Sequence, residues 1–185
     1  MGRVLDHIDD ATITWIGNQH MFFVGTAPDN GGRVNLSPKG LDTFRVVNPT
    51  QVAYLDLTGS GAETIAHLRD NGRITFMFTA FDGPPRILRL YGSGSVHLPG
   101  EDQFEVLEPT FPERRGVRSI ISASIDRVQD SCGYSVPTME YRGNRKHLDD
   151  WVEKRSDARS RSTGPRRTSR ASMVCLPSTC DVQSP

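Results

Sequence analysis

The sequence predicts a mainly β (α+β) protein, a small antiparallel barrel with peripheral helices, and three observations predict it. Short stretches rich in aromatic and β-branched residues recur between His20 and Gln129. Most of them are joined by tight turns, of which Asp29-Asn30-Gly31-Gly32 and Asp82-Gly83-Pro84-Pro85 are the clearest. One helical period, between Ser60 and Gly72, interrupts the run of strands. Five or six strands with a helix inserted mid-sheet fit a barrel, which leaves few open edges.

Taken in order, Asp9 to Gln19 reads as a short helix capped by Asp9 or Asp10, with Ile13, Trp15 and Ile16 as its apolar bulk. His20 to Ala27 is a strand, and the DNGG turn sends Arg33 onward back beside it. Gln51 to Leu57 is a further strand. Ser60-Gly61-Ala62-Glu63 fits a capping box, Ile65, Ala66 and Leu68 share a helical face, and Gly72 ends that helix. Arg73 to Ala80 and Arg86 to His97 are strands, and Gly92 and Gly94 predict a bulge or sharp curvature in the second. Glu101 to Leu107 is a short helix, Val117 to Gln129 the last long strand, and Asn144 to Lys154 a helix.

The chain has 185 residues, 36% hydrophobic and 24% charged, with a formal net charge of zero. This is enough for one domain with a core, and it gives no electrostatic reason to expect a membrane or nucleic acid partner. The average hides a division, because residues 155–185 carry six Arg against two Asp. That stretch is rich in Ser and Arg, has no aromatic residue and no amphipathic period, so residues 1–154 are expected to form the domain and 155–185 a disordered tail. An RNA- or phosphate-contacting tail and a reading frame lost near Lys154 are the other readings of it. The N-terminal residues lack an apolar signal core, and the longest apolar runs, such as Met21 to Val24, are far too short to span a bilayer. Cys132, Cys175 and Cys180 show no disulfide spacing, so a reduced, cytoplasmic protein is expected.

Three stretches could hold a ligand. In RVNLSPKG (Arg33 to Gly40), strand alternation puts Asn35, Ser37 and Lys39 on one face and Val34, Leu36 and Pro38 on the other. An amide, a hydroxyl and an ammonium in a row suit a phosphate or a polar ring edge, and they also suit an ordinary solvated hairpin face. The helix start after Gly59-Ser60-Gly61, with Thr58, Ser60 and Thr64 adding hydroxyls, could attract phosphate, although Glu63 competes as the local anion. Arg86 and Arg89, three apart in a strand, face opposite ways, so at most one easily meets a ligand. Cys132 reads as a buried structural thiol in preference to a nucleophile, Asp149 and Asp150 as a solvated helix face, and the five scattered His give no metal site.

Together and in order, FFVGTAP, GGRVNLSPKGLDTF, VAYLDLTGSGAETIAHLRDNGRITFMF, GPPRILRLYGSGSV and VQDSCGYSVPTMEY make residues 6–154 resemble the pyridoxamine 5′-phosphate oxidase-like family of FMN-binding split barrels. The likeness is to an actinobacterial-type branch and not to the vitamin B6 oxidase itself. It implies a six-stranded antiparallel split barrel, a homodimer, and FMN at the subunit interface. It also implies phosphate contacts from Ser37, Lys39 and Thr64, with Asn35 near the isoalloxazine or ribityl chain, Thr58 in the strand–helix turn, and Arg89 or Arg86 assisting. The segment Cys132 to Pro137 is expected to approach the flavin pocket. Where the B6 oxidases carry a Ser-Arg-Lys cluster this chain reads Ala62-Glu63-Thr64, and their C-terminal substrate-phosphate arginines have no counterpart before Lys154. These departures speak against pyridoxamine phosphate oxidation, and the expected activity is hydride transfer between FMN and an unknown small-molecule substrate, with no acid–base residue nominated. A deazaflavin- or haem-binding protein of the same fold, and a non-catalytic flavin-binding or storage module, are the alternatives.

Overall fold

In the computed structural model residues 2–162 are described, and among them the chain forms eight strands and four α-helices. In chain order these are β1 (Arg3–Leu5), α1 (Asp10–Gly17), β2 (Phe22–Thr26), β3 (Asn35–Lys39), β4 (Phe44–Asn48), β5 (Gln51–Leu57), α2 (Glu63–Asp70), β6 (Arg73–Thr79), β7 (Ile87–His97), α3 (Asp102–Leu107), β8 (Val117–Ser131) and α4 (His147–Ser162). Helix α4 runs past the boundary expected at Lys154, and the expectations for the rest of the tail, with Cys175 and Cys180, lie outside the described residues. No described helix is long and apolar enough to cross a membrane.

The strands pair antiparallel in the order β3-β2-β6-β7-β8-β5-β4. Strand β8 carries the split. One edge runs along β7, while the other is shared, Val117 to Ser124 pairing with β5 and Val128 to Asp130 with β1. The eight strands exceed the six expected by β1, only three residues long, and β4. The residues before β4 hide it: Leu41 and Asp42 both sit in the left-handed region (φ 66° and 54°), a sharp reversal without glycine.

The bulge expected in β7 lies instead on its partner: Tyr91 and Gly92 face Arg127 and Ile125, leaving Asp126 of β8 as the extra residue. There the strands approach so closely that a Cβ on Gly92 would collide with the Ser124 carbonyl. The resulting curl brings strands from opposite ends of the sheet together around an aromatic centre. Phe44 of β4 meets Phe22 of β2 at 4.9 Å and Phe78 of β6 at 5.0 Å, and Tyr54 of β5 meets Phe22 at 5.7 Å. Outside the barrel a smaller core forms where Phe104 and Leu107 of α3, with Phe111, cover Ala53, Leu55 and Ile120.

Candidate functional site

Strand β3 is amphipathic in the unexpected sense. Its polar residues Asn35, Ser37 and Lys39 are the half-buried ones, whereas Leu36 is 64% exposed and the preceding Val34 is 77% exposed. The polar face is therefore turned inward, toward α2 and β5, and is not a solvated hairpin face. It is held there by a directed chain of hydrogen bonds. Ser37 Oγ donates to Asn35 Oδ1 (3.1 Å), and Asn35 Nδ2 donates to Thr64 Oγ1 (3.0 Å), at the first turn of α2. Behind it Thr26 Oγ1 pairs with His67 Nδ1 at 3.0 Å, fixing α2 to β2.

Lys39 ends the strand with Nζ 3.3 Å from Oδ1 of Asp56, a carboxylate only 1% exposed. The other oxygen, Oδ2, accepts from Arg118 Nε (2.8 Å) and Nη2 (2.7 Å), and from the Ser119 hydroxyl at 3.4 Å. Burying a lone carboxylate costs several kcal/mol, and these partners offset that. Arg118 Nη1 also donates to the Gly61 carbonyl (2.8 Å), so a residue of β8 grips the loop that opens α2.

The start of α2 differs from expectation. No capping box forms: the N-cap is Ala62, which offers no side-chain hydrogen bond, and the Glu63 carboxylate lies against Gly61 instead of closing on Ser60. The N-cap side chain thus satisfies none of the first-turn amides, which lie at the positive end of the helix dipole. Next to them Tyr54 is fully buried, and its hydroxyl approaches Thr64 without reaching hydrogen-bond geometry. Burial, and then the charge of Asp56, push the Tyr54 phenol far above its ordinary range, so it keeps its proton. Ammonium, guanidinium, hydroxyls and free amides around one helix start form a donor set that fits a phosphate.

Of the residues predicted from sequence, Asn35, Ser37, Lys39 and Thr64 come together here. Thr58 lies one residue beyond β5, its amide bonded to the Gly116 carbonyl and its methyl packed toward Gly116. Arg86 is held elsewhere, by Asp130 (2.7 Å), the Thr12 hydroxyl (3.2 Å) and the Trp15 ring (4.5 Å to the centroid). Arg89 bonds Ser131 Oγ at 3.1 Å on the opposite sheet face from Leu88 and Leu90, which are core residues. Cys132 is exposed and free, against the expectation of a buried thiol, because Gly133 and not the cysteine packs onto the Arg86 backbone. Asp149 is not merely solvated but accepts from Arg114 at 2.9 Å.

Sequence reasoning missed Asp56, Arg118 and Tyr54. Asp56 left a signal, a single charge inside the otherwise apolar run VAYLDL, whereas Arg118 left none. A cavity of about 600 Å³ opens beside Lys39, walled by Met21, Leu41, Phe81, Met139 and Tyr141, with the Tyr141 ring stacked on His20 at 3.6 Å.

The chain is 43% identical over 143 residues to the pyridoxamine 5′-phosphate oxidase family protein ustO of Aspergillus flavus, a match covering 73% of this chain and 56% of that protein. The chain thus spans little more than half the length of this curated relative. Among solved structures it resembles a single-residue variant of HupZ from Group A Streptococcus, with a TM-score of 0.53, 19% identity, and coverage of 67% of this chain and 99% of that one. It also resembles a Lactobacillus delbrueckii protein assigned to the pyridoxamine 5′-phosphate oxidases, with a TM-score of 0.51, 15% identity, and coverage of 67% and 94%. At these identities the two structures speak for the fold alone. No family model matches the sequence. The architecture is that of a split barrel. By sequence over the matched stretch and by fold, the chain belongs to the pyridoxamine 5′-phosphate oxidase-like family.

Proposed function

We propose that this chain binds FMN and, as a homodimer, serves as an oxidoreductase passing hydride between the flavin and a small-molecule substrate. The observation that carries the reading is the convergence of Lys39, Thr64 and the uncapped start of α2. In this reading Lys39 and Thr64 contact the flavin phosphate. Thr64 accepts from Asn35, so its own proton stays free for a phosphate oxygen. Ser37 commits its proton to Asn35 and therefore orients the amide without touching the phosphate. Bound there, the flavin would supply hydride chemistry, and the protein would supply orientation and charge. The cavity beside Lys39 is of a size that admits a small substrate.

The dimer is supported by Val34 and Leu36, apolar and exposed on an edge strand, where a second copy would cover them. A reducing, cytoplasmic setting suits the free, exposed Cys132.

The test is the visible spectrum of the purified or FMN-reconstituted protein, followed by titration of Lys39→Ala and Thr64→Val. Flavin bands, with FMN affinity reduced about 10-fold or more in each variant, are expected from the loss of a hydrogen bond to a charged group. A protein that stays colourless with added FMN overturns the reading, and a Soret band or a deazaflavin spectrum replaces the cofactor. Turnover with a nicotinamide reductant separates an enzyme from a storage module.

A further inference from the structure

We propose that the cavity beside Lys39 takes an uncharged, flat, apolar molecule, so that the substrate of this site carries neither a phosphate nor a carboxylate. Calling that molecule a substrate rests on the flavin reading, whereas the chemistry of the cavity does not.

The charges on the wall cancel. Lys39 and Arg145 stand against Asp82 and Glu140, so with histidine neutral the lining has no net charge. Two of the four are already engaged, Lys39 by Asp56 and Glu140 by Arg142, each at 3.3 Å. Arg145 and Asp82, which remain, are both exposed and opposite in sign, so water screens them and neither dominates. An anion entering this cavity would give up hydration against an apolar wall and find no surplus of positive charge in return.

The apolar wall has two parts. Met21, Leu41 and Phe81 belong to the barrel, whereas Met139 and Tyr141 belong to the segment between β8 and α4, and Leu148 to α4 itself. The segment is tied to the barrel at the cavity, because the Met139 amide donates to the Phe81 carbonyl at 2.8 Å. The Tyr141 ring lies parallel to that of His20, 3.6 Å away and inclined by 10°, which fixes its orientation. The cavity is therefore formed before a ligand arrives, and its walls supply two thioethers and two aromatic rings, partners suited to a flat apolar molecule. Met139 is 55% exposed and Tyr141 47% exposed, apolar surface that such a molecule would cover.

The experiment is equilibrium dialysis of the full chain, with and without FMN, against 2-naphthol and naphthalene-2-sulfonate, which share a ring system and differ in charge. It is run at pH 8, where an ordinary histidine is neutral. The expected result is one 2-naphthol bound per chain and the sulfonate bound about 10-fold more weakly or not at all. Met139→Glu, a charge set into the wall, should weaken 2-naphthol about 10-fold, and Met139→Leu should restore it. Sulfonate bound as well as the naphthol overturns the proposal, as does a chain that binds neither. Naphthol held equally by Met139→Glu lies elsewhere and overturns it too. Should Met139→Glu fail to fold, the wild-type ratio of the two probes decides. If FMN binds and expels 2-naphthol, the flavin itself fills the cavity, and the proposal falls while the flavin reading stands. If FMN does not bind but the naphthol pattern holds, the character of the cavity stands and the flavin reading falls.

Discussion

Lys39 Nζ stands 3.3 Å from Asp56 Oδ1, so the inner end of β3 is tied by charge to β5 although no ladder joins the two strands among the described residues. The carboxylate is buried and the two cations it serves are about a quarter exposed. Asp56→Asn is expected to destabilise the fold by about 2–3 kcal/mol, below the usual cost of breaking a fully buried pair because water reaches the cations. Lys39→Met should cost less, since Asp56 keeps Arg118. Urea denaturation measures both, and equal losses in the two variants would contradict this ordering.

Gly92 and Gly17 make a matched pair of substitutions. At Gly92 an added methyl meets the Ser124 carbonyl of the neighbouring strand, and Gly92→Ala is expected to cost on the order of 3 kcal/mol by forcing the bulge apart. At Gly17, the last residue of α1, a Cβ meets nothing within 4 Å, and Gly17→Ala should stabilise by about 0.5–1 kcal/mol. Thermal midpoints moving in the same direction for the two variants would contradict the account.

His97 carries a pH dependence. Burial holds its pKa below the ordinary 6.5, partly opposed by the charge of Glu101, while Nε2 pairs with Ser122 Oγ at 2.8 Å. The unfolded chain accepts a proton near pH 6.5, before the folded one does. Stability is therefore complete above that pH, falls as the pH drops through it, and stops falling below the depressed folded value. His97→Gln should flatten this limb as the pH falls below 6.5 in urea midpoints. A limb unchanged by the substitution would assign it to other groups.

Leu36 tests the proposed dimer without touching the proposed phosphate site. Leu36→Glu places a charge on the exposed edge and should shift the gel-filtration mass from twice the 20.5 kDa chain toward the monomer. The inward residues Asn35 and Ser37 are unaltered, so the helix content should not change. A variant that still elutes as a dimer would move the interface elsewhere.

The elements that announce themselves in the sequence are those governed by local chemistry. Asp9 caps α1 by accepting from the Thr12 amide at 2.8 Å, Gly31 and Gly32 turn the β2–β3 hairpin with φ of 72° and 81°, and Gly72 ends α2 at φ 72°. What stayed hidden depends on partners far along the chain. Strand β4 has half-buried Phe44, Arg45 and Val46 in succession, so it shows no alternation to read. In β3 the alternation is legible, but which face is inside depends on distant residues. Thr64 lies 29 positions from Asn35, Asp56 lies 17 from Lys39, and Arg118 lies 62 beyond Asp56. Half of the candidate site is therefore local strand pattern, and the other half exists only once β8 has been laid down.

That order of assembly has a consequence for synthesis. Strand β8 is the neighbour of β7, β5 and β1 alike, yet it is translated after all of them. A nascent chain that has reached Thr110 can make the β2–β3 hairpin and the β6–β7 ribbon, but the edges of β5 and β7 that face β8 stay bare. The ribosome thus holds, until residue 131 has cleared its tunnel, an open sheet with sticky edges in place of a barrel.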